Sequence, residues 1–117
     1  MIDNRIEVKK LMEKMEAALP IPVHLNSNLS RSLRESHNIK IKPTQVVQIE
    51  QIHYMGDEGG IGCNLTSKSL EKAKQAFIVS LTHLRVKRTH LLYEEMRAYQ
   101  LRRIRKLAAQ DKAYECA

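Results

Sequence analysis

The hydrophobic period changes twice along this chain, and that double change limits the fold more than any other feature. Between residues 2 and 19, Ile2, Ile6, Val8, Leu11, Met12, Met15, Ala18 and Leu19 recur at steps of three and four, the spacing that gathers apolar side chains on one face of a helix. Pro20 and Pro22 end that helix, because proline has no amide hydrogen to donate. From Thr44 the period falls to two, the alternation of a half-buried strand. From about Thr89 to Gln110 the helical spacing returns, with Leu92, Met96, Tyr99 and Leu107 in one stripe and Tyr93 and Ile104 at its edge. Helix, alternating strands and a long terminal helix predict an α+β fold, with N-terminal and C-terminal helices packed on one face of a small antiparallel sheet.

The details between the two helices follow from smaller signals. Val23-His24-Leu25 predicts a short strand near 22–25, and Asn26, Ser27 or Asn28 can cap a second helix running to about His37. The sheet is expected to consist of a hairpin, 45–55/60–66, and a strand over 76–86. In the hairpin's first arm Val47 and Ile49 share one parity and Ile52 and Tyr54 the other, so a straight strand would put half of them in water. A bulge near Glu50-Gln51 reconciles them. Ile61, Cys63 and Leu65 then alternate cleanly. Phe77, Val79 and Leu81 do the same until the parity switches to Leu84 and Val86, which suggests a neighbour that bends with this strand. The polar run Thr66–Lys74 reads as a connection with one helical turn.

All four glycines of the chain lie between positions 56 and 62, around Asp57 and Glu58. A hairpin loop Gly-Asp-Glu-Gly-Gly explains them, since glycine tolerates the positive φ angles of tight turns. The stretch is not a dinucleotide fingerprint, and it lacks both the lysine of a phosphate loop and the helix that should follow one. Two carboxylates are too few for calcium, and no metal or cofactor is expected. Gly62 exceeds what a turn needs, and a glycine inside a strand marks close approach of another group. In the expected register His53 faces Cys63, with His83 near them, an arrangement that could activate a thiol or begin a zinc site. The plainer reading is a packed cysteine beside a half-exposed histidine. His24, His37 and His90 read as surface or cap positions.

At 117 residues, with 43% apolar and 28% charged side chains, the chain fits a single domain, 1–117, whose core is aliphatic. No apolar run resembles a signal peptide or a membrane span, and Cys63 and Cys116 alone make no disulfide framework, so a cytosolic protein without membrane contact is expected. The charge is uneven. Residues 1–84 hold 11 Lys/Arg against 9 Asp/Glu, and residues 85–117 hold 9 against 4. Arg85, Lys87 and Arg88 precede the last helix, while Arg102, Arg105 and Lys106 fall on the side of it away from Leu92 and Met96. Clustered cations of this kind favour a binding module over an enzyme, with RNA or DNA as the acidic partner. The helix dipole gives a simpler reason for Glu94 and Glu95 early in the helix and arginines late in it. The alternative is a small enzyme or ligand-binding protein, with Asp57 or Glu58 as acid or base and His53 and Cys63 beside it. A third reading, homo-oligomerisation through the first helix or a sheet edge, is compatible with either. No motif is specific enough to name a family.

Overall fold

A computed structural model of the chain describes residues 3–66 and 77–115, with the side chains of Glu58 and of residues 110–115 excluded. The connection expected over Thr66–Lys74 falls almost wholly outside these residues. Helix α1, Arg5–Ala18, starts where the Asn4 side chain accepts from the amides of Ile6 and Glu7, which supplies partners to two otherwise orphaned donors. Strand β1, Ile21–Leu25, follows the prolines. Helix α2, Ser27–His37, is capped by Asn26, which accepts from Leu29 N at 2.8 Å, and ends at Asn38 in the left-handed region. There Ile39 N bonds back to Leu33 O at 3.1 Å, the usual closure of a helix C-terminus. Strands β2, Val47–Tyr54, and β3, Ile61–Thr66, form the hairpin. The bulge is present: the register shifts between Ile49 and Gln51, Glu50 and Gln51 are both exposed, and Val47, Ile49 and Ile52 all reach the core.

The segment expected as one strand over 76–86 is two. Strand β4, Phe77–Ser80, and strand β5, Leu84–Val86, are separated by a 3-10 turn at Leu81–His83. β4 pairs with β3, whereas β5 pairs with β1, so the order across the antiparallel sheet is β4-β3-β2-β1-β5. Two pieces adjacent in sequence thus occupy opposite edges. Three residues span only about 10 Å, so the sheet must curl until its edges nearly meet. Leu81 and Leu84, at 0% and 2% exposure, fill that closure. The parity switch that looked like a bend is this turn.

The last helix, α3, Tyr93–Glu115, crosses the closure. Its buried positions among the described side chains are Met96, Tyr99, Gln100 and Arg103, with Leu92 just ahead of it, a helical stripe that includes a buried amide and a buried guanidinium. Gln100 donates through Nε2 to the carbonyls of Leu81 and Leu84, each at 2.7 Å. One buried amide therefore ties α3 to both sides of the 3-10 turn, in place of the water those carbonyls would otherwise need. Beneath lies an aliphatic core of α1 and sheet residues that includes Met15, Ile21, Val23, Leu25, Val47, Ile49, Ile61 and Cys63.

Candidate functional site

The glycine loop is a packed structural junction. Gly56–Glu58 form a 3-10 turn, and Met55 N bonds Gly60 O at 2.7 Å. Gly56 and Gly60 take φ of +71° and +66°, values that glycine adopts without steric cost. At Gly60 space matters as well: a Cβ there would lie 2.1 Å from the Tyr99 hydroxyl oxygen. At Gly62 a Cβ would meet the Met55 sulfur at 2.8 Å, so the close approach expected of a strand glycine comes from this protein's own side chain. Tyr54 pairs with Ile61, His53 with Gly62, and Ile52 with Cys63. The expected His53–Cys63 juxtaposition is therefore corrected by one residue, which turns the imidazole and the thiol to opposite sheet faces. Cys63 is fully buried, and burial pushes its thiol from the ordinary 9.0 up to about 12, far from a nucleophilic thiolate at neutral pH. Among the described residues no cluster of three or more His, Cys, Asp or Glu could hold a metal ion. Asp57 is exposed and engages its surroundings, while the side chain of Glu58 lies outside the described residues. His83 is exposed on the 3-10 turn.

What packs on the loop is an ion pair. Arg103 and Asp3 are each about 3% exposed at the side chain and meet at 2.8 Å, Nη1 to Oδ2. The same carboxylate oxygen accepts from the hydroxyls of Tyr54 at 2.9 Å and Tyr99 at 3.4 Å. Tyr99 in turn accepts from Ile61 N at 3.1 Å, and Arg103 donates its other Nη to the Asp57 carbonyl. A buried carboxylate and guanidinium are tolerable when paired and hydrogen-bonded in this way. Burial first, and then the hydrogen bond to Asp3, push Tyr54 from the ordinary 10.0 up to about 12. Burial raises Tyr99 to about 12 as well, with the Ile61 amide opposing it. Chain start, glycine loop and terminal helix are thereby locked together.

An open cleft lies elsewhere. Where β5 runs out beside the start of α3, a cleft of about 610 Å³ is walled by Arg85, Lys87, Arg88 and Arg97, with His24, Tyr93 and Gln100 completing it and Pro43 and Thr44 at its rim. Among the described residues no carboxylate lines it. Arg85, Lys87 and Arg88 form no ion pair with any described residue. The scaffold around them is fixed. Arg85 sits opposite His24 in the β1–β5 register, and His24 Nδ1 lies 3.0 Å from the Gln45 carbonyl. A carbonyl only accepts, so Nδ1 carries the hydrogen in this contact. Arg97 donates to Gln100 Oε1 at 3.3 Å, and Gln100 is itself held by the two carbonyls of the closure. The rim loop is pinned by Ser30 Oγ on Ile41 O and by Gln45 on Lys42. Four permanent positive charges on an ordered, concave surface focus a field that attracts anions.

The six basic residues singled out from the sequence are thus divided. Arg85, Lys87 and Arg88 share the cleft. Arg102 pairs with Glu7 at 3.2 Å on the surface and, with Lys106, borders a small crevice against α1; Arg105 lines neither feature. Arg97 and His24 were missing from that set, although Tyr93, Arg97 and Gln100 share one helix face by spacing. Of the other histidines, His90 accepts from Leu92 N at 3.0 Å ahead of α3, and His37 stacks edge-on against Phe77. Compared with protein-family models, with curated proteins and with solved structures, the chain matches none. Among the described residues no helix is long and apolar enough to cross a membrane.

Proposed function

We propose that this protein is a nucleic-acid-binding module that holds the phosphates of an RNA or DNA strand in the β5–α3 cleft. The observation that carries the reading is four cationic side chains, Arg85, Lys87, Arg88 and Arg97, lining one cleft that holds no carboxylate among the described residues. Each phosphate neutralised there releases condensed counterions, which is the main source of sequence-independent affinity. Half-buried Tyr93 offers a ring at the wall for a base to stack on. Arg102, Arg105 and Lys106 add long-range attraction rather than contacts, since Arg102 already shares its charge with Glu7.

The test is fluorescence anisotropy with labelled single-stranded RNA and DNA of one sequence, and with the corresponding duplex, at two or more salt concentrations. For a single strand, four neutralised phosphates predict a slope of about −3 in log K against log salt. The tightest of the three probes identifies the strand type. Absence of binding to all three at low salt removes the proposal.

A further inference from the structure

Beside α1 runs a second groove of about 490 Å³, lined by Arg5, Val8, Lys9, Met12, Glu13 and Glu16 with Tyr54 of β2. Its floor is apolar and its charges are ordered: two cations in the first half of the helix, two carboxylates in the second, Val8 and Met12 among them. None of the four charged side chains makes an ion pair with a described residue. The order also runs against the helix. Cations near an N-terminus and carboxylates near a C-terminus oppose the macrodipole, and α1 has no basic residue in its last turn. On α3 the order is the favourable one, with Glu94 and Glu95 in the first turn. A groove face charged against its own helix is compensated when another helix lies along it in the opposite direction.

We propose that the occupant is α1 of a second copy of this chain, antiparallel about a twofold axis near the middle of the helix. Reversal places Arg5 and Lys9 of each copy against Glu16 and Glu13 of the other, while the half-buried Met12 side chains of the two copies meet near the axis over buried Val8. A parallel arrangement would set like charges side by side, which is costly in an interface. The interface is isologous, as twofold dimers require, and self-complementary in charge as well as shape. The groove shares no lining residue with the β5–α3 cleft, so the proposal does not depend on the nucleic-acid reading.

Sedimentation equilibrium of the full chain is the measurement, with circular dichroism confirming that each variant is folded. The expected result is a reversible dimer of twice the 13.5 kDa chain mass, weakened by salt. Arg5→Glu with Lys9→Glu makes the stripe wholly acidic, and Glu13→Lys with Glu16→Lys makes it wholly basic. Each double variant alone should self-associate more than about tenfold more weakly. Mixed in equal amounts, they should form a heterodimer, which a mere loss of fold would not produce. Mass remaining at 13.5 kDa at all concentrations, or a dimer unmoved by both reversals, would overturn the proposal.

Discussion

At the start of α3, Arg97 lines a cleft with Arg85, Lys87 and Arg88 and no acid among the described residues; less than two turns further on, Arg103 is 3% exposed and held by Asp3, which the hydroxyls of Tyr54 and Tyr99 tie to the sheet. The side chains are the same and their work is opposite. Beside Asp3 the guanidinium belongs to the fold, because a buried charge persists only with its partner. At the cleft the four charges share one wall with no acidic partner among the described residues, which pairing within the fold does not explain. A run of basic residues on one helix therefore says little until the structure shows what each one meets.

Breaking the buried end should give the largest effect. Asp3→Ala or Arg103→Met leaves an uncompensated charge and should lower stability by about 3–5 kcal/mol, read from urea unfolding. Combining Asp3→Leu with Arg103→Met should recover much of that loss, since an apolar pair often replaces a buried ion pair at little cost. Nucleic-acid binding by the folded fraction should remain.

Next come the loop glycines of positive φ, of which Gly60 lies against Tyr99 and Arg103. Gly60→Ala faces a positive φ, worth about 1–3 kcal/mol, and a clash with the Tyr99 hydroxyl in addition. Gly56→Ala has a similar φ of +71° but nothing within 4 Å, so about 1–2 kcal/mol is expected. Thermal denaturation of the two variants should rank them in that order.

Alkaline pH attacks the same junction. Tyr54, Tyr99 and Cys63 all hold their protons to about 12 in the folded protein, whereas in the unfolded chain they ionise near their ordinary values. Protons are then bound more tightly by the native state, so stability is fully present below about pH 9 and declines as pH rises toward 12. For buried Tyr99 alone the loss reaches roughly 2–3 kcal/mol. Urea midpoints between pH 8 and 11 should fall accordingly.

The smallest effect belongs to Arg102. Its pair with Glu7 is about half exposed on both sides, and Arg102→Ala should change stability by less than about 1 kcal/mol.

How far these differences were legible varies by element. Period and capping residues marked α1, α2, the bulge at Glu50 and the terminal helix. The 3-10 turn at Leu81–His83 was hidden because it shifts side-chain parity just as a bulge does, so a strand pattern alone cannot show that β4 and β5 part to opposite edges. Arg103 lies on the buried stripe, four residues from Tyr99 and from Leu107, and its position could have been read. Its partner could not: Asp3 is 100 residues away, and only the folded chain brings them together. The cleft was half visible for the same reason, since Arg85, Lys87 and Arg88 are neighbours in sequence while His24 and Arg97 reach it from β1 and α3.

The contrast between the cleft cations and those further along α3 is tested most directly by the salt dependence of single-stranded nucleic-acid affinity, measured in parallel for the unmodified protein, Arg85→Ala, Arg88→Ala and Arg105→Ala. Each cleft substitution should weaken binding and reduce the magnitude of the log–log slope by about 1, whereas Arg105→Ala should leave the slope unchanged. Equal slopes for all four proteins would contradict the account.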